Sequence, residues 1–266
     1  MKARDSTYFN LEKFYFDCID DVGNCFVIYW AYLEIYCLKF HYSGMIFSDC
    51  NNVITKKSTF KKAPKPLINK ILSIDNSLMQ IKGNWNRTDN PILLSLFKDG
   101  TNRELLWECH HPKALAEIEY YNKIFKGLGY AERLSLPIKP WNLPFQELRW
   151  GRFLSDDYTI IWIHWKGEKP LNKLFCNGTE YDDAIFLVDR VIFNKGRYVL
   201  FFKDISTLRS GIISNILSKP HILKTILNRC ILNGNEIKCK AKTTLSRDDE
   251  IVAYGWSLYE TVTWKR

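Results

Sequence analysis

Four side chains combine proton-transfer chemistry with an apolar setting: Glu132, Glu260, Asp17 and His164. A strand places every second residue on one side. In GLGYAERLSL (127–136) that puts Glu132 with Leu128, Tyr130, Leu134 and Leu136, and leaves Gly127, Gly129, Ala131, Arg133 and Ser135 opposite. IVAYGWSLYETVTW repeats the pattern, with Val252, Tyr254, Trp256, Leu258, Glu260, Val262 and Trp264 sharing a side if the strand is unbulged. Asp17 shares a face with Tyr15 and Ile19 in FYFDCI, and in YTIIWIHWKG the face of Tyr158, Ile160 and Trp162 continues to His164.

Two chemistries fit acids so placed. A carboxyl desolvated among aromatic rings keeps its proton and can protonate a carbon–carbon double bond. Trp and Tyr faces then steady the cation, by ~2 kcal/mol when desolvated. On this reading Glu132 or Glu260 donates the proton, Asp17 or His164 positions water, and Tyr130, Trp162, Trp256, Tyr254 and Trp150 line the ligand. The other reading makes the acids part of the framework, paired across the sheet with Arg133, Arg149, Arg152 or Arg190, because buried charges are normally paired. His164 is open to the same choice, as a near-neutral base or as a hydrogen-bonded packing residue.

Other chemistries are excluded. There is no Gly-x-Ser-x-Gly elbow, phosphate loop or dinucleotide fingerprint. GLGYAE lacks the third glycine and the following helix, so no cofactor is expected. Cys109-His110-His111 looks like a metal set, but neighbours on a strand point to opposite faces, so no metal is expected. The eight cysteines include no Cys-x-x-Cys pair, and MKARDSTYFNLEK lacks an apolar leader core. Reduced thiols in the cytoplasm are the expectation. No stretch approaches the roughly 20 apolar residues that cross a bilayer. The formal charge of +9 has one dense source, TKKSTFKKAPKPLINK (55–70), which reads as a solvated loop. Without a recognition module beside it, no nucleic-acid partner is expected.

The elements that must position these residues are strands. FYFDCI (14–19) and a long run over 25–40 flank DDVGN; ILLSLF and ELLWEC flank KDGTNR; DRVIFN and RYVLFF flank Lys195-Gly196; CIL and EIKCKAK flank Asn233-Gly234. Each reads as a hairpin. With 46% hydrophobic and 15% aromatic residues, the chain can fill one large or two small β cores. The exception is 204–230, where Ile205, Leu208, Ile212 and Ile216 recur at helical spacing, Asp204 can cap the start and Pro220 divides two helices. Arg209, Lys219, Lys224 and Arg229 flank that stripe, so it reads either as a crossover packed on the core or as a membrane-contacting lid.

FYFDCIDDVGNCFVIYWAYL resembles the Tyr-Phe-Asp strand, turn and long strand near the beginning of the lipocalin-like (calycin) family of hydroxyneurosporene synthase (carotenoid 1,2-hydratase), tocopherol-cyclase-like proteins and Diels-Alderases. GLGYAERL followed by ELRWGRF is similar to that family's Gly-x-Gly-Tyr-x-Glu segment and its Trp-Gly element. WIHW, Asn177-Gly178 and GWSLYETVTW are similar to distant bacterial members. The resemblance implies a mainly β fold of two consecutive lipocalin-like antiparallel barrels or half-barrels, over 1–138 and 139–266, with a short helical segment near 204–230. It also implies an apolar pocket in or between them, no cofactor, and hydration or cyclisation of isoprenoid or polyene substrates. Through GYAE it assigns the family's acid to Glu132, and through YFD the early acid to Asp17; His164 with Trp162 or Trp165 is the nearest local analogue of its histidine. The expected activity is that of a carotenoid 1,2-hydratase-like protein with a hydrophobic small-molecule ligand. The alternatives are a non-catalytic carrier and a peripheral membrane protein.

Overall fold

The computed structural model describes residues 8–216, 225 and 227–264. The chain divides into two compact units, residues 1–142 and 143–266, each a curled antiparallel half-barrel of nine strands. The first contains β1 (Phe9–Ile19), β2 (Cys25–Ile35), β3 (Leu38–Ser48), β4 (Ile54–Thr59), β5 (Ile71–Asn76), β6 (Ile81–Arg87), β7 (Ile92–Lys98), β8 (Glu104–Tyr120) and β9 (Lys123–Leu136). Their order is β4-β3-β2-β1-β9-β8-β6-β5, with β7 also on β8. The second contains β10 (Phe145–Leu154), β11 (Thr159–Gly167), β12 (Leu171–Cys176), β13 (Thr179–Tyr181), β14 (Ile185–Phe186), β15 (Arg190–Phe193), β16 (Tyr198–Ile212), β17 (Asn235–Arg247) and β18 (Glu250–Thr263). Their order is β13-β12-β11-β10-β18-β17-β16-β15-β14.

The two orders follow one plan: the first strand of each unit lies between that unit's second strand and its last. Register extends the likeness to single residues. Glu132 on β9 lies opposite Tyr15 on β1, and Glu260 on β18 lies opposite Trp150 on β10. Two residues along, Asp17 lies opposite Tyr130, and Arg152 opposite Leu258. The two acids that sequence alternation singles out therefore occupy equivalent places in two related sheets.

Each sheet buries one face in its own interior. In the first unit Phe14, Phe16, Ile28, Trp85, Ile118 and Ala131 form that core; in the second, Phe153, Ile160, Trp162, Phe193, Leu200 and Leu245. Glycine makes room for one tryptophan in each. A Cβ on Gly129 would stand 2.7 Å from both the Asp17 carbonyl oxygen and the Trp85 ring, and Trp85 Nε1 donates to that carbonyl at 2.7 Å. A Cβ on Gly151 would stand 2.5 Å from Trp162 Cε2. The glycines of GLGYAE and RWGRF serve close packing.

Four sequence expectations are corrected. Residues 204–212 belong to β16; the described helical residues are α1 (Ile213–Ile216), Thr225 and α2 (Arg229–Leu232), with a 3-10 turn at Pro140–Asn142. Bulges between Lys203 and Ser206 and between Thr207 and Arg209 each insert a residue. Of the apolar residues at helical spacing, Leu208 is fully buried, while Ile205 and Ile212 are exposed. Lys219, Pro220 and Lys224 lie outside the described residues. Asn233-Gly234 is no hairpin: Asn233 caps α2 at φ −88, and Gly234 N–H donates to Ile231 O, so Cys230–Leu232 is helical rather than a strand. The lysine-rich run begins as a strand, residues 55–59 lying in β4 and pairing with β3, with Lys57 Nζ over the Tyr121 ring at 4.3 Å; residues 60–70 form the mostly exposed loop that the sequence suggests. The long run from 25 to 40 breaks at Tyr36, whose φ is 55.

Candidate functional site

In the first unit, β1, β8 and β9 carry a second buried face, with Tyr15, Asp17, Trp107, Cys109, Tyr130 and Glu132 on it. Glu132 is 8% exposed. Its Oε2 accepts from the Tyr130 hydroxyl at 2.6 Å and from Trp107 Nε1. Two neutral donors on one oxygen leave the carboxyl proton, when Glu132 carries it, on Oε1. Tyr130 is held as a phenol: burial pushes its pKa well up, with Cys109 and Glu132 adding. Burial likewise pushes the Cys109 thiol well up, against a hydrogen bond with Tyr130. Tyr15 and Tyr130 meet edge to face at 6.0 Å.

Glu260 has the same register and a different environment. Its carboxylate is ion-paired with Lys238, the residue opposite it on β17, and Lys238 is 0% exposed. The Lys238 ammonium also lies over the Trp150 ring at 5.3 Å, and Lys240 over Trp256 at 5.6 Å. Arg152 Nη1 donates to the Trp256 carbonyl at 2.8 Å. In β8 the residues facing Glu132 across a bulge are Cys109 and His110. Of the arginines expected to neutralise the acids, Arg133 pairs with Glu12 and Glu108, Arg149 with Glu147, and Arg190 with Asp189.

The structure thus brings Asp17, Tyr130 and Glu132 together on one face, and Glu260, Trp256 and Trp150 on another. His164 and Trp162 lie on the opposite face of the second sheet from Glu260, toward that unit's interior. His164 is kept neutral by burial, then by Arg149 and Lys166, which lower its pKa. Tyr254 is 71% exposed and lines nothing. Sequence reasoning missed Trp107, Cys109, Lys238 and Lys240. Their signals were the alternations of ELLWEC and EIKCKAK, which put each pair on one face. Among the described residues no group of three or more His, Cys, Asp or Glu could hold a metal ion.

One neighbouring histidine sets an acid-sensitive feature. His111 is fully buried between two bulges of β8, and its Nε2 meets the Lys70 carbonyl at 3.2 Å. Burial lowers its pKa from 6.5 to about 4, with Arg87 and His110 adding. As pH falls below 6.5 the unfolded chain takes a proton that the native chain refuses until about 4. This stability is complete above that window and is lost through it. We expect His111→Gln to flatten the fall of the urea midpoint between about pH 6.5 and pH 4.5, by on the order of 2 kcal/mol. An unchanged slope would remove His111 as the source.

Comparison with known proteins extends only to structure. No protein-family model and no curated sequence matches the chain. Kievitone hydratase from Nectria haematococca superposes with a TM-score of 0.54 at 9% identity, covering 95% of this chain and 88% of that one. A Nitrosomonas europaea protein provisionally described as an AttH gives 0.56 at 9%, covering 97% and 92%. CghA, in its structure with Sch210972, gives 0.53 at 10%, covering 97% and 89%. At such identities the likeness is one of fold, and the fold is the lipocalin-like one that these structures share. No helix of the described residues is long and apolar enough to cross a membrane.

Proposed function

We propose that the chain binds an apolar, isoprenoid- or polyene-like small molecule in the cytoplasm and catalyses cofactor-independent hydration or cyclisation of a carbon–carbon double bond, in the manner of a carotenoid 1,2-hydratase. The observation that carries this reading is Glu132: buried among Tyr15, Tyr130 and Trp107, with the Tyr130 hydroxyl and Trp107 Nε1 donating to Oε2. The proton on Oε1 adds to the alkene, and the resulting carbocation is stabilised by the tyrosine and tryptophan faces. In hydration, water held by Asp17 adds to the cation and its surplus proton returns to Glu132, so that alkene and water give an alcohol. In cyclisation a second double bond attacks the cation, and proton loss to Glu132 closes the cycle. A hydratase on the same fold is consistent with this chemistry.

A carrier is the second reading. It is favoured by the ion pair of Lys238 with Glu260, which shows that an acid at this register can serve the framework. The experiment is mass spectrometry of what co-purifies with the full chain, followed by turnover of that molecule by the native protein and by Glu132→Gln. We expect a loss of about a thousandfold on removing the acid. A ligand recovered unaltered after incubation with native protein would instead establish the carrier.

A further inference from the structure

We propose that the interior of the second unit is a binding site for a small aromatic molecule bearing a hydroxyl group, held by His164 and Asn172 and occupied in this structure by the chain's own Phe186. Arg149, His164 and Asn172 stand side by side on β10, β11 and β12, on the face that carries Phe153, Trp162 and Leu174. The segment 184–186 crosses this row. Asn172 Nδ2 donates to Ala184 O and Arg149 Nη1 to Phe186 O, each at 2.8 Å. The Phe186 ring lies 4.8 Å from the His164 ring and 6.4 Å from Trp162.

Beneath the strap two buried polar atoms, His164 Nδ1 and Asn172 Oδ1, have no hydrogen-bond partner. The amide cannot be turned to cure this, because its NH2 is the group that Ala184 O requires. Leaving buried polar atoms unpaired is costly, and here two occur on directly opposed residues. One hydroxyl satisfies both: its oxygen accepts from Nδ1–H of the neutral imidazole and its proton goes to Oδ1. An ether cannot do so, since it has no proton to give.

The walls suit a flat ring. Trp162 stacks on Phe202 at 6.1 Å, and Phe202 on Tyr259 at 4.7 Å. The strap is also lightly held. β14 is two residues long at the edge of its sheet, paired only with β15. Beyond the inward Phe186, Ile185 and Leu187 are exposed and Val188 is 87% exposed. Swinging the strap outward breaks two side-chain hydrogen bonds and the two-residue pairing with β15, and frees the place of the Phe186 ring.

The test is calorimetric titration of the full chain and of Phe186→Ala with 2-naphthol and with 2-methoxynaphthalene. We expect Phe186→Ala to bind 2-naphthol at least about tenfold more tightly than the native chain, and to prefer it at least about tenfold over the ether. Adding His164→Phe should erase the preference. Phe186→Leu replaces Phe186→Ala if the latter does not unfold cooperatively. Equal affinity for the two probes, or no saturable binding to a cooperatively folded Phe186 variant, overturns the proposal; the second result would mean that ordinary water serves the two polar atoms.

Discussion

Lys238→Met is expected to lower the unfolding free energy by about 3–5 kcal/mol. The ammonium it removes is fully buried and ion-paired with Glu260, whose side chain is 13% exposed. Without it, a carboxylate remains in a place that water barely reaches. The thioether covers the lost methylene contacts against Trp150, over which Lys238 lies, so the loss is electrostatic rather than one of volume. The double variant Lys238→Met with Glu260→Leu should therefore recover most of the stability, because replacing both members of a buried pair by apolar groups is far milder than orphaning one. Urea unfolding of the native chain, the two single variants and the double variant closes the cycle. A single-variant loss below about 1 kcal/mol would show that Glu260 does not depend on Lys238.

That pair also shows where sequence reasoning stops. The face of Glu132 was legible because alternation on β9 runs from Leu128 to Leu136 in continuous register with β1. The partner of Glu260 was not. Lys238 and Lys240 alternate visibly, but counting back from the Arg247–Glu250 turn without interruption sets Lys238 opposite Tyr259. The irregularity beside Leu245 moves the register by one residue and delivers Lys238 to Glu260. A one-residue bulge exchanges which side chains meet, and it leaves no mark in residue type. Register shifts interrupt β16 as well, and its helically spaced Ile205 and Ile212 are exposed while Leu208 is buried. Asn233-Gly234 failed for another reason: its turn chemistry suits a hairpin, but Asn228 accepts from Cys230 N–H and starts a helix just before it. The hairpins at 20–24, 99–103 and 194–197 were legible because strands flank them on both sides.

Gly151→Ala is the second large effect, about 3 kcal/mol or more. Trp162 lies across this position, so an added methyl would sit 2.5 Å from Cε2 and closer still to Cζ2, with Tyr259 Cβ 2.7 Å away on the other side. An indole can be pushed aside, but a Cβ is fixed by its backbone, so the strain has no cheap release. Trp162→Phe should relieve only the part due to the ring. We therefore expect the double variant to be more stable than the sum of the single losses predicts, and still well below the native chain. Gly100→Ala is the matched control, since a Cβ there meets nothing within 4 Å; its unfolding midpoint should rise slightly. The contrast separates packing from the general effect of removing glycine, which acts through the unfolded chain and is favourable by about 0.4–1 kcal/mol. Because Trp162 is also a wall of the His164 site, Gly151→Ala should weaken 2-naphthol binding to the Phe186→Ala chain, while Gly100→Ala leaves it unchanged.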